Sequence, residues 1–469
     1  MKLKMAPAYR AGRQKATRFA VLSLMIMVAM PALSQSSSTP TLTLQQAVDI
    51  ALQKNINVIT AQNALENQQS MVTAAYGNFL PSLNASGGWS RQENHQPGSA
   101  GGSYSIGGFV IPVPASSGIS TNNSYSTSLR ASLTLFDGFS NTSTLNRASE
   151  SAVSSEYTLY RTRQSVVYQA QQLYLAVLRN QSLLKVAQDN LESSKQQLER
   201  IQESNKVGAV AIADVYRQQV QTANDELSLI NAQNTYDNSK ADLQFYLGVD
   251  ISKEYDFSDP TVAADTVNMD LTNLENQFTN FDQLVQQALQ TRPDYQSAIY
   301  AKQSAESDVT NARSSYYPTI SASAGYSLNN SELSRLSDNK IYSWGLSFSL
   351  PLFNGFQTST DVQVKQLQLR NAEVQVDQAV RQVQVDVKKA MLNYQMTLKQ
   401  IDVTQKNMIS ASEDRRIAQE KYNLGSGTLL DLLTATANYT KAASDRVNAV
   451  YDFLLAKQQM KYVAGTEKY

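Results

Sequence analysis

Cysteine is absent from the 469 residues, which excludes disulfides, thiolate metal sites, a Cys nucleophile and a lipidated N-terminal cysteine. Histidine occurs once, as His95, in a Gly/Ser-rich loop beside Pro97 and Gly98. With no second imidazole, the usual zinc, Ser-His and Cys-His chemistries have no place to occur. Long apolar runs are missing too: the longest, Phe19 to Met30, has 12 residues, whereas a membrane-crossing helix needs about 20. If the mature chain crosses a membrane, strands must do it.

Six basic residues (Lys2, Lys4, Arg10, Arg13, Lys15, Arg18) and no acid precede that run, and Pro31-Ala32-Leu33-Ser34 follows it. This pattern predicts a secretory signal peptide over 1–34, cut near Ser34. The whole chain has 40 basic and 40 acidic residues; without the six in the leader, 34 stand against 40, a net of −6. That balance argues against a nucleic-acid surface.

What is present is a repeat. Asn78-Phe79-Leu80-Pro81-Ser82 returns as Ser315-Tyr316-Tyr317-Pro318-Thr319, offset by 237 residues. Leu135-Phe136-Asp137-Gly138-Phe139 returns as Leu352-Phe353-Asn354-Gly355-Phe356, and Val207-Gly208 with Asp214 returns as Leu424-Gly425 with Asp431, both offset by 217. The 20-residue difference falls in the low-complexity stretch Gln96 to Asn123, read as one long loop.

After each of these prolines the pattern has period two. Tyr125, Leu129, Ala131, Leu133 and Leu135 alternate with Ser126, Ser128, Arg130, Ser132 and Thr134. Tyr342, Trp344, Leu346, Phe348 and Leu350 alternate with Ser343, Gly345, Ser347 and Ser349, and the segments near 82–89 and 319–327 behave alike. Two hairpins follow, 80–136 and 317–353, with four strands of roughly ten residues, the length that spans a bilayer core. A soluble sandwich would alternate similarly. The Ser/Asn/Thr/Gly face fits a wet lumen, and the aromatics sit on the apolar side.

Elsewhere the period is helical. Phe139 to Val207 and Phe356 to Leu424 each run 69 residues without Gly or Pro, rods of about 100 Å if helical. Val376, Val380, Val383, Val387, Ala390, Tyr394, Thr397 and Ile401 step by four and three, a coiled-coil seam. The expected organisation is a first repeat over 35–247, with long helix 139–207 and return helix 209–247. A mixed connector, 248–280, packs outside the helices. A second repeat over 281–469 carries long helix 356–424 and return helix 428–464. Four strands cannot close a barrel, and open edges are forbidden in lipid. Eight strands from two chains would fill their own interior, whereas twelve from three leave an aqueous passage. The expected fold class is therefore a mixed α and β membrane protein, four strands per chain completing a trimeric 12-stranded barrel continued by an α-helical coiled-coil barrel.

These features resemble the TolC family of outer-membrane factors across essentially all of the mature length. The duplicated strand-entry prolines, the duplicated Phe-(Asp/Asn)-Gly-Phe and the two Gly-x(5)-Asp turns, Gly208 to Asp214 and Gly425 to Asp431, agree in order and spacing. The resemblance implies a homotrimeric passive duct in the outer membrane of a Gram-negative cell, in contact with outer-membrane lipid. It also implies a periplasmic adaptor protein and an inner-membrane transporter as partners, in efflux or type I secretion. No catalytic site, cofactor, metal or nucleic acid is implied.

By the same resemblance, adaptor-docking tips carry over onto Val207, Gly208 and Ala209 and onto Leu424, Gly425 and Ser426. The periplasmic aperture carries over onto Asp431, with Thr434 where a second acid is usual. A latch Arg is replaced by Gly427, although its partners are matched by Asp214 and Tyr422. Glycines that end helices and acids that complement helix dipoles are the plain alternatives for these positions. A secreted trimeric coiled-coil structural or surface protein is the second functional reading, but it does not need four two-faced strands at duplicated positions. A periplasmic enzyme would need a catalytic constellation, and none is recognisable.

The hairpin apex 96–123 is expected on the cell exterior. An epitope tag inserted there should be labelled on intact cells; labelling only after permeabilisation reverses the topology.

Overall fold

The structure, a computed structural model, describes residues 41–99, 101–113, 116–260, 278 and 280–466. The expected leader, 1–34, lies outside them. In chain order the elements are β1 (Thr41–Leu42), α1 (Leu44–Lys54), α2 (Ile56–Gly77), β2 (Ser82–Ser99), β3 (Gly102–Ile106), β4 (Phe109–Val113) and β5 (Ser116–Phe136). Then come α3 (Ser140–Lys206), α4 (Ile212–Leu247), β6 (Asp256–Phe257), α5 (Phe281–Thr291) and α6 (Pro293–Ser314). β7 (Thr319–Asn330), a short 3₁₀ turn (Leu333–Asp338), β8 (Lys340–Ser349), α7 (Gln357–Asn423) and α8 (Leu429–Ala464) complete the chain.

The two long helices each have 67 residues and the two return helices each have 36. Each long helix starts from a Gly-Phe pair in the left-handed region, Gly138-Phe139 (φ 67° and 73°) and Gly355-Phe356 (both 67°). Phenylalanine rarely adopts that conformation. Both rings find edge-on partners, Phe136 at 5.6 Å and Phe353 at 5.5 Å. The first helical run of each half breaks once. Asn55 leaves the helix (ψ 129°) and its side chain caps α2 by accepting from the Asn57 N–H at 2.9 Å. At the matching position Arg292 leaves the helix and Pro293 opens α6, the place where a missing N–H costs nothing.

β2, β5, β7 and β8 form one antiparallel sheet in that order. Its register aligns the two faces across all four strands, with Leu129 opposite Ala85 and Tyr326, and Ser128 opposite Ser86 and Ser327. Serine pairs bridge neighbouring strands on the polar face: Ser82–Ser132 at 2.7 Å, Ser86–Ser128 at 2.8 Å and Ser321–Ser347 at 2.7 Å. The other face bares Leu83, Leu346, Phe348 and Trp344, the last 85% exposed. Aromatic pairs, Trp89–Tyr125 and Tyr326–Tyr342, lie 6.4 and 5.0 Å apart at its far end. The Arg91–Glu93 ion pair follows immediately.

The loop expected over 96–123 is corrected. β2 and β5 stay paired to Ser99 and Ser116, and β3 with β4 adds a hairpin turned by Gly107 and Gly108 at φ 60° and 89°. Small polar residues do not oppose a ladder carried by main-chain hydrogen bonds, so a composition typical of loops continues as strand. In the connector, β6 pairs in parallel with β1, and Phe257 is buried edge-on against Tyr174 of α3 at 6.0 Å. Residues 261–277 and 279 of the connector lie outside the described residues.

Helices pack beside one another in the same lateral order as the strands. Near the sheet, α3 lies between α2 and α6, and α7 lies beside α6; further along, the sequence of neighbours is α4, α3, α8, α7. One buried cluster joins α1, α3 and the end of α4 through Ala51, Val166, Ala170 and Leu247. A second joins α5, α7 and α8 through Val383, Val387, Ala390, Tyr394, Ile401 and Phe453. The seam read from the valines of α7 thus faces α8 and α5 from Val383 to Ile401.

One ionic cluster interrupts this apolar packing. Arg292, 2% exposed, donates to Asp294 at 2.6 Å and to Asp386 of α7 at 2.9 Å. Arg161 of α3 lies 3.5 Å from Asp294 and 4.0 Å over the ring of Tyr462. Burial alone would push the Asp294 carboxyl up and the Arg292 guanidinium down. Their mutual bonds outweigh it, so Asp294 is held below the usual carboxylate range and Arg292 above its usual value. A lowered folded-state pKa gives stabilisation that is complete above the unfolded carboxylate range and lost as pH falls through the lowered value. Asp294→Ala leaves a buried guanidinium short of a partner, and should cost about 2–4 kcal/mol per chain, seen as a lower unfolding temperature at pH 7. The difference from the parent protein should shrink under acid.

Candidate functional site at the helix turns

The turns that end α3 and α7 are built alike. Both close on a glycine in the left-handed region, Gly208 at φ 74° and Gly425 at φ 69°, with open space where a Cβ would stand. The Ala209 N–H bonds back to Ser204 O at 2.8 Å and the Ser426 N–H to Lys421 O at 2.9 Å, which satisfies carbonyls that a helix end leaves free. Beyond these bonds Val207 is 81% exposed and Leu424 83%. Two bulky apolar side chains thus stand bare at neighbouring turns.

Between the turns lies a cleft of about 1240 Å³, lined among others by Arg200, Asp214, Arg217, Tyr422, Gly427 and Leu429. Under it, Ile201, Val215 and Leu429 form a small core against which Tyr422 packs. The Tyr422 hydroxyl is buried without a hydrogen-bond partner among the described residues. Burial, and then the negative charge of Asp214, push its pKa up. Asp214 itself is bound at 2.9 Å by Arg217, one turn along the same helix. Its cation therefore comes from α4, while Gly427 of the facing turn supplies none.

Asp431 stands apart from this cleft. Its carboxylate accepts from the Thr428 hydroxyl at 2.7 Å and from the Thr428 N–H at 3.1 Å, and the Asp431 N–H donates to the Thr428 oxygen at 3.1 Å. That reciprocal pair is a capping box opening α8. The Thr428 hydroxyl and then its N–H hold Asp431 below the usual carboxylate range. Thr434, one turn on, is exposed and its hydroxyl donates back to Leu430 O at 2.9 Å. The chain thus brings Asp214 and Tyr422 together, and carries Asp431 and Thr434 on the exposed face of α8.

Sequence reasoning passed over Arg217 and Thr428. Asp214-x-x-Arg217 has the i, i+3 spacing of a helical ion pair, and Thr428-x-x-Asp431 has the spacing of a capping box. Both signals stood in the residues.

The family model described as "Outer membrane efflux protein" matches residues 47–249 and 284–466, one stretch in each half of the chain. The chain belongs to this family. Its members are channels rather than enzymes, placed in the outer membrane of Gram-negative cells with helices extending into the periplasm. Outer membrane protein TolC of Escherichia coli (strain K12) is 24% identical over 364 residues, 74% of this chain and 70% of that protein. The probable efflux pump outer membrane protein TtgC of Pseudomonas putida is 22% identical over 407 residues, 85% of this chain and 78% of that protein. Among solved structures, the CmeC outer membrane channel of Campylobacter jejuni superposes with a TM-score of 0.74 at 19% identity, covering 93% of this chain and 90% of that one. A crystal structure of CusC gives 0.76 at 17% identity, covering 92% and 95%. At these identities the superpositions show the fold.

A β-branched residue at Gly425 would be strained by about 1 kcal/mol or more, because the left-handed conformation is costly for it. On the docking role that the resemblance implies for this turn, Gly425→Val should abolish export while assembled protein still reaches the outer membrane. Normal export with normal adaptor cross-linking would remove the docking role from this turn.

Proposed function

We propose that the chain is one third of the outer-membrane duct of a tripartite efflux or type I secretion system. Three copies close a 12-stranded barrel and a helical tunnel, through which substrates pass passively from an inner-membrane transporter and a periplasmic adaptor. The observation that carries the proposal is that every layer of the chain is open at the same two flanks. β2, α2 and α4 form one flank, and β8 and α7 form the other.

Both flanks expose apolar stripes at helical spacing. On α4 they are Ile212, Tyr216, Val220, Leu227 and Ile230; on α7 they are Leu367, Val374, Val385, Leu392, Met396 and Val403. Monomers rarely bare such seams, and coiled-coil partners cover them. The repeated glycines support head-to-tail closure. A Cβ on Gly138 would lie 2.5 Å from Ser314 O, within the same chain, whereas the flank of its repeat mate Gly355 is empty. A second copy presenting Gly77 to Leu80, the repeat mates of Ser314 to Tyr317, would fill that flank.

In such a ring Val207, Gly208, Ala209, Leu424, Gly425 and Ser426 face the adaptor. The three copies of Asp431 form an acidic collar at the periplasmic end, with Thr434 behind it, and draw cations in. The Asp214–Tyr422 cleft then serves as the packing joint between the two turns rather than as an Arg latch.

The absence of native cysteine makes the ring directly testable. Asn311 reaches Ser140 O at 3.1 Å within the chain, and their repeat mates, Ala74 and Gln357, are both exposed. The double variant Ala74→Cys, Gln357→Cys should give disulfide-linked dimers and trimers on mild oxidation, and neither single variant should. No intermolecular product would overturn the head-to-tail ring.

A further inference from the structure

Arg130 sits on the polar face of the sheet, paired in register with Asn84 of β2 and Gly325 of β7; Gly325 in turn pairs with Ser343 of β8. Every other described residue on that face of the four strands is uncharged: Ser, Asn, Gln, Thr and Gly, with Ile341 and, past the register shift, Phe136. Arg130 is exposed. The one carboxylate of the sheet, Glu93, is engaged by Arg91 at 3.1 Å on the opposite face. The nearest acid below, Asp137, caps α3 by accepting from the Asn141 N–H at 2.8 Å.

The height of Arg130 matters as much as its isolation. It lies between Tyr125 at the outer aromatic row and Phe136 at the base of the strand, halfway up the apolar band of the opposite face. An arginine without a counter-ion at that depth is tolerated only where water reaches it. The Asn84–Arg130–Gly325–Ser343 row is therefore a wet row, and beside Gly325, which brings no side chain, the Ser343 hydroxyl oxygen fills the space to within 2.7 Å of where a Cβ would stand.

We infer that Arg130 forms a ring of three guanidinium groups midway through the barrel lumen, a site for multivalent anionic solutes in transit. This rests on the trimeric duct proposed above. Twelve strands about 4.8 Å apart and tilted by about 40° enclose a barrel of radius about 12 Å. The Debye length at 0.1 M salt is about 10 Å, so three charges on the wall bias the whole cross-section. Guanidinium groups donate bidentately to phosphate and carboxylate oxygens, which favours oligophosphates and polycarboxylates over chloride. The barrel and the Asp431 collar then act in series with opposite sign: polyvalent anions dwell in the barrel and polyvalent cations at the periplasmic end.

The test uses purified full-length trimers in planar bilayers, with tripolyphosphate added at the extracellular face. In the parent channel it should block current at low salt, and the block should weaken as salt rises. Arg130→Ser, which matches the surrounding face, should raise the half-blocking concentration by about tenfold or more, and Arg130→Lys should largely retain the block. Asp431→Asn should leave tripolyphosphate block unchanged. Block that ignores Arg130→Ser in trimers of normal heat-stability overturns the inference while the duct stands. A parent protein that opens no channel overturns the duct, and the ring with it.

Discussion

A four-stranded sheet ends in two rows of unpaired main-chain N–H and C=O groups, and in a bilayer there is no water to satisfy them. That requirement governs the rest of the chain. β2 and β8 are the two edges, and the helices below follow the same order, so an edge at the sheet continues as an edge along about 100 Å of helix. A membrane-imposed need for strand closure is thereby transmitted into the coiled coils. The apolar seams of α4 and α7 lie where strand pairing would place a neighbour.

Much of this was legible in the residues because both periodicities are undiluted. Serine against leucine in steps of two defines β5 and β8, and the three-four stepping from Val376 to Ile401 defines the inner face of α7. Gly138, Gly208, Gly355 and Gly425 punctuate helices that nothing else interrupts, so lengths could be read by counting. The break at Asn55 escaped notice because a single residue leaves the helix there, whereas the break at Arg292 was marked by Pro293, a helix-opening residue that went unread. The strand pairing through 96–123 escaped because composition reports on side chains, whereas a ladder is made by the main chain.

The site was less legible than the fold. Spacing identified the two turns, and the structure shows them closing on left-handed glycines with Val207 and Leu424 bare. Charge pairing within the turns could not be read from resemblance. Gly427 leaves the facing turn without a cation, and Asp214 is instead held by Arg217 of its own helix. Asp431 is first an N-terminal cap of α8 and only in a ring an electrostatic device. One carboxylate thus caps the helix that carries it, and in the proposed ring the same group would supply the charge.

The two repeat-mate glycines, Gly138 and Gly355, differ in one respect that is kinetic rather than structural. Gly138 meets its partner segment, Ser314 to Tyr317, on the same polypeptide, so that contact forms at a high, fixed effective concentration set by the intervening chain. Around a closed ring the equivalent contact at Gly355 is made by another molecule, and its rate depends on how many copies are present. Six nearly equivalent joints would then form in two regimes, three during the folding of single chains and three by collision. A cell producing little of the protein would accumulate folded, edge-exposed protomers, and the onset of export would scale steeply with expression.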